Sequence, residues 1–120
     1  DFDITNKDEI LVANLSAFRV NAYDLEGNTL LTFGNRGREQ QDFHGCCNPV
    51  SVAALSTGAI VTAEKDPTRV KVYSKDGVKQ IEGIDELVKG CIHIPMIVDA
   101  NDNLYMASQE KGIVRCKAVN

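Results

Sequence analysis

The sequence predicts an all-β fold built from three consecutive copies of one four-stranded antiparallel unit. Two observations carry this prediction. The chain matches itself in register at two displacements, and within each copy short apolar runs alternate with turns rich in Gly, Asn and Asp. A displacement of 50 residues lays Ile10–Ala13 on Ile60–Ala63, Arg19–Tyr23 on Arg69–Tyr73, and the turn Asp24–Gly27 on Ser74–Gly77 without a gap. A further displacement of 44 lays Ile60–Ala63 on Leu104–Ala107, Ser51–Ala54 on Pro95–Val98, and Val70 on Val114.

Each copy begins with an innermost strand, expected near Phe2–Thr5, Val52–Leu55 and Met96–Asp99. The turns that follow, Asn6-Lys7-Asp8, Ser56-Thr57-Gly58 and Asn101-Asp102-Asn103, are made of residues that tolerate a tight hairpin. Second strands are expected near Ile10–Asn14, Ile60–Glu64 and Leu104–Ser108, and third strands near Arg19–Tyr23, Arg69–Tyr73 and Ile113–Ala118. In the third strands Val20-Asn21-Ala22 and Val70-Lys71-Val72 alternate apolar and polar, the period of a strand with one covered face. Gly27 and Gly77 then lead into fourth strands at Leu30–Phe33 and Val78–Ile81. Four short strands per copy at this spacing specify a propeller blade. A helical solenoid would need a 3.6-residue period, and a β-sandwich would leave the copies unexplained.

The whole chain, 1–120, thus reads as a partial β-propeller with blades at about 1–43, 44–88 and 89–120. Val52, Ala54, Val61, Ala63, Val70 and Val72 are expected between blades. Asn35-Arg36-Gly37-Arg38 with Glu39–Asp42 forms the long connection from the first blade to the second. The first copy starts in its innermost strand and the third stops after its third. Propeller rings close with roughly four to eight blades. The expectation is therefore half of a six-bladed ring, closed by further blades of the same polypeptide or by a partner chain, including a second copy.

The net charge of −4 gives no footprint for nucleic acid or an anionic membrane surface. No apolar run approaches the roughly 18 residues of a membrane span. The chain starts at Asp1 without Met, so a trimmed or excised segment is expected, periplasmic or secreted, with a cytoplasmic location as the alternative.

The pattern Val-Ala, turn, Ile-Val-x-Ala, Arg-Val-x-x-Tyr, Gly turn and Thr-Phe-Gly resembles the NHL repeat across nearly the whole chain. A narrower likeness lies in Phe43-His44-Gly45-Cys46-Cys47-Asn48-Pro49, followed by Ala63-Glu64-Lys65 and Arg69–Tyr73. It is similar to bacterial NHL proteins with a Gly-Cys-Cys-Asn-Pro motif, often exported or linked to redox genes. The resemblance implies a protein- or nucleic-acid-binding platform, while a minority of related propellers are hydrolases or lyases.

Residues that recur in every copy build the blade, so Arg19 with Arg69 and Tyr23 with Tyr73 read as packing or ion pairs. Residues that break the repeat are better site candidates. Cys47 and Cys91 fall at equivalent positions before an innermost strand, with Cys46 beside the first. His44 precedes Cys46 by two residues and His93 follows Cys91 by two. Thiolates and imidazoles suit zinc, copper or an iron–sulfur cluster, but this spacing matches no standard motif. The alternatives are a Cys47–Cys91 or Cys46–Cys91 disulfide, or thiols packed as small hydrophobes. Cys116, laid on Val72, reads as core. Glu64 admits an acid–base role but reads first as part of a solvated, salt-bridged loop. Asp99, Asn101, Asp102 and Asn103 have the look of calcium ligands without the Gly and closing Glu of an EF-hand, and read as turn residues.

Three functions follow from these residues. The first is a non-catalytic binding or scaffold module. The second is a metal- or redox-binding propeller using Cys46, Cys47 and Cys91 with His44 or His93. The third is part of a propeller hydrolase or lyase with its catalytic groups along the channel.

Overall fold

The computed structural model describes residues 1–118. The first sheet is β1 (Phe2–Ile4), β2 (Ile10–Asn14), β3 (Arg19–Tyr23) and β4 (Thr29–Phe33), hydrogen-bonded in chain order. The second repeats it with β5 (Ser51–Ala54), β6 (Ile60–Glu64), β7 (Arg69–Ser74) and β8 (Gly77–Gln80). The third comprises β9 (Met96–Val98), β10 (Leu104–Ser108) and β11 (Gly112–Cys116). Every strand pair is antiparallel. A one-turn helix, α1 (Asp85–Val88), precedes the third sheet. Among the described residues no helix is long and apolar enough to cross a membrane.

The sheets stack face to face around a common axis, with β1 beside β5 and β5 beside β9 at the inner edge. Alternation along each strand gives every blade two faces. Leu11, Ala13, Val20 and Ala22 of the first blade pack on Val52, Ile60, Ala54 and Tyr73 of the second, with Phe43 filling the wedge. From the second blade's other face Ala53, Val61, Ala63 and Val70 meet Met96, Leu104, Met106 and Val114 of the third. Ile84, Val88, Cys91 and Ile94 complete that second core. Of the residues expected between blades, Val52, Val61, Ala63 and Val70 are buried, while Ala54 and Val72 are half-buried.

Polar contacts also cross the blade boundaries. The carboxylates of Asp1 and Asp3 accept the β5 edge amides of Val52, at 3.2 Å, and Ala54, at 2.8 Å. At the far ends of the inner strands, Asn6 Nδ2 donates to the Ser56 carbonyl, and Asp102 accepts from the Ser56 amide and hydroxyl. The three equivalent first turns are thereby linked around the axis.

Two expectations are corrected. The turn between second and third strands is one residue shorter in the last blade: Glu64 pairs with Arg69 but Ser108 pairs with Gly112. Val114 therefore occupies the place of Lys71 rather than Val70, and Cys116 that of Tyr73 rather than Val72. Cys116 is half-buried against the second core. The alternation in β7 also does not mark a solvated face. Lys71 is fully buried, because its side of the strand faces the wedge holding residues 34–43.

Candidate functional site

The antiparallel path brings the starts of the inner strands and the ends of the second strands to one end of the arc. Three segments gather there: the loop 44–49 before β5, the turn 65–68 after β6, and the stretch 91–95 before β9.

The loop 44–49 rests on buried polar groups. Glu64, the last residue of β6, is wholly buried, so its reading as a solvated loop residue is overturned. Its Oε1 accepts from Arg69 Nη2 at 2.8 Å and from the His44 amide at 3.1 Å. Lys71 Nζ lies 3.0 Å from Oε2 and donates to the carbonyls of Gln40, at 2.9 Å, and Asp42, at 2.7 Å. The same ammonium sits 4.7 Å from the Phe43 ring centroid, a cation–π contact. Burial pulls Lys71 below a lysine's usual value, and the Glu64 carboxylate opposes that pull. The Glu64 carboxylate is thus flanked by two cations and an amide, a buried ion-pair network that ties the loop to β6 and β7.

Asn48 is the second anchor. Wholly buried, it accepts the Lys65 amide at 2.8 Å and donates to the Lys65 carbonyl at 2.6 Å and to the His44 carbonyl. Gly45, at φ +78°, completes the seat, since a Cβ there would run into the Asp66 carbonyl oxygen. The peptide bonds before Pro49 and Pro67 are both cis.

This loop presents Cys46 and Cys47, joined to each other by a disulfide. The expected pairings Cys47–Cys91 and Cys46–Cys91 are therefore overturned. Cys91 is a free, buried thiol: α1 turns the chain so that the Cys91 amide reaches the Val88 carbonyl and its side chain enters the core. Equivalent sequence positions before β5 and β9 thus carry different surroundings. Cys46 is exposed, His44 half-buried and His93 exposed. Among the described residues no three His, Cys, Asp or Glu side chains gather as a metal-binding set.

Cys47 and His93 do come together. Both line a cleft of about 470 Å³ with Lys65, Asp1, Ser51 and the apolar Ile94. A larger wedge of about 880 Å³ opens at the outer rim between the first two blades, against Leu31, Phe33, Tyr73 and Val78. It holds no cluster of reactive groups. There Tyr73 donates to the Gln41 carbonyl at 3.1 Å, and burial pushes its phenol well above the usual value. The two repeat-equivalent arginines differ: Arg69 binds Glu64 and the Asp42 carbonyl, whereas exposed Arg19 donates to the Ala17 carbonyl.

The Asp99 carboxylate is consumed by its own turn. It accepts the amides of Asn101 and Asn103, the Asn103 side chain and the Tyr105 hydroxyl. These bonds, the Asn103 side chain's foremost, hold it at about 2. Asp24 repeats the motif with Glu26 and Asn28.

Asn48 and Lys65 entered the sequence reading only within motifs, and Lys71 only within an alternating strand; none was singled out as a site residue. A Lys in a strand apolar on both flanks was the one available signal for Lys71. Asn48 and Lys65 stood in the motifs of the narrower likeness, but their partners, which lie across a loop contact, were not legible.

No protein-family model and no curated protein matches the chain. Among solved structures it is similar to selenomethionine-substituted virginiamycin B lyase from Staphylococcus aureus, with a TM-score of 0.56 and 9% identity. That match covers 99% of this chain and 41% of the lyase chain, so this chain spans less than half of its neighbour's length. At that identity the likeness establishes architecture alone. The chain is a three-blade arc of a β-propeller.

Proposed function

We propose that this arc is a non-catalytic binding module of an NHL-type propeller, with the cleft at Cys47, Lys65 and His93 as its recognition surface. One observation carries the reading. The repeat-breaking His93 lines this cleft with Cys47 and Lys65, and the loop 44–49 that carries His44 and Cys46 forms its edge through Cys47, while the recurring valines and alanines are spent on blade packing. The cleft mixes apolar walls with a few polar groups, the composition of a recognition site. The one buried carboxylate next to it is neutralised by Arg69 and Lys71, which supports binding over acid–base catalysis.

The open faces of the arc fit the same reading. Phe2 and Ile4 are exposed on the first blade and Ile97 and Ile113 on the third. Exposed apolar faces of this kind mark interfaces, here for further blades from the same polypeptide or a partner chain.

A displayed library of short peptides tests the assignment. Peptides whose binding is lost in His93→Ala and Lys65→Ala but kept in Lys75→Ala, at the outer wedge, support it. Peptides bound equally by all three variants place recognition elsewhere and overturn it.

A further inference from the structure

We infer that Cys46 and Cys47 form a reversible two-electron thiol–disulfide site whose co-reactant is a low-molecular-weight disulfide. This goes beyond the binding reading, which does not require it.

Four observations converge. The two cysteines are adjacent and bonded to each other, with Cys46 exposed and Cys47 on the cleft wall. The loop that carries them is fixed by contacts that involve no sulfur: Glu64 on the His44 amide, Asn48 on His44 and Lys65, and Gly45 against Asp66. Contacts other than the sulfur–sulfur bond therefore also hold the loop in place. The other thiols lie elsewhere, since Cys91 is sealed in the core and Cys116 sits on β11, so rearrangement within the chain has no nearby competitor. Finally, Lys65 lines the same cleft as Cys47, and an ammonium neighbour favours a thiolate.

In the reduced form the exposed Cys46 thiolate attacks one sulfur of a disulfide R–S–S–R. A mixed disulfide forms and one R–S⁻ departs, taking up a proton. Cys47, as its thiolate, then attacks the Cys46 sulfur and expels the second R–S⁻, which is protonated in turn. Two electrons pass to the co-reactant, and the two thiol protons end on two R–SH. The reverse sequence reduces the pair.

The probe is glutathione at graded ratios of reduced to oxidised form, applied to the whole chain and quenched by alkylation. The peptide holding both cysteines is then weighed. The expected result is interconversion between a doubly alkylated form and a form short of two hydrogens, with Cys91 unchanged at every ratio. Cys47→Ser should stop at a glutathione adduct on Cys46. Double alkylation at all ratios, a persistent glutathione adduct in the wild type, or disulfides only between chains would each overturn the proposal. The wild-type titration stands on its own should the variant fail to fold.

Discussion

At the scale of single residues, the most consequential finding is that the charges beneath the loop 44–49, Glu64, Arg69 and Lys71, are structural. Glu64, Lys71 and Arg69 were legible as a strand end and an alternating strand, but their burial was not. Alternation reports that two faces differ, not that the polar one meets water; here the inter-blade connection supplies carbonyls to a lysine. Removing one partner of a buried pair leaves the other unpaired, at a cost of about 3–5 kcal/mol. Glu64→Gln should therefore lower stability by roughly 3 kcal/mol in denaturant titration, and should speed hydrogen exchange at the His44 amide. Asp99 gives a prediction that does not rest on deep burial, being a half-buried carboxylate held low by its own turn. Its folded value of about 2 lies below the ordinary 3.8, so its contribution is present above 3.8 and lost as pH falls towards 2. Thermal melts across that window should show a smaller pH dependence in Asp99→Asn than in the wild type.

At the scale of elements, the strands were legible because period-two alternation and the repeat point to the same boundaries. What failed was register in the last blade, where a turn shortened by one residue shifts Cys116 by one place. A displacement of 44 fits β10, and nothing in a single sequence reveals that β11 needs one residue fewer. The thiol pairing was misjudged for a related reason. Equivalence of Cys47 and Cys91 along the chain held, but α1 sends Cys91 inward. Two substitutions probe the elements themselves. Gly45→Ala places a Cβ against the Asp66 carbonyl at a positive φ, which should cost about 1–3 kcal/mol and lower the melting midpoint. Val70→Asp puts a carboxylate without a partner between the second and third blades. It should abolish the native β circular-dichroism signal or its cooperative melt, and native-like melting would show that this face is not core.

At the scale of the whole molecule, the arc has two closed blade boundaries and two open faces. Within each boundary one kind of face meets the other kind, and the open pair is one of each, at Phe2 and Ile4 and at Ile97 and Ile113. The isolated chain should therefore self-associate at roughly tens of micromolar, a range typical of modest interfaces. Ile97→Lys with Ile113→Lys should shift sedimentation towards the monomer without changing the melt. An ideal wild-type monomer at those concentrations would count against the open faces as interfaces. The carboxylates that reach from the first blade to the β5 amides, together with the turns joined through Ser56, have a consequence of their own. The second blade does not satisfy its own inner edge alone, so it cannot be complete before the first has docked. Folding of the arc is then a matter of neighbours recruiting neighbours, and a blade borrowed into another ring would have to bring its lender with it.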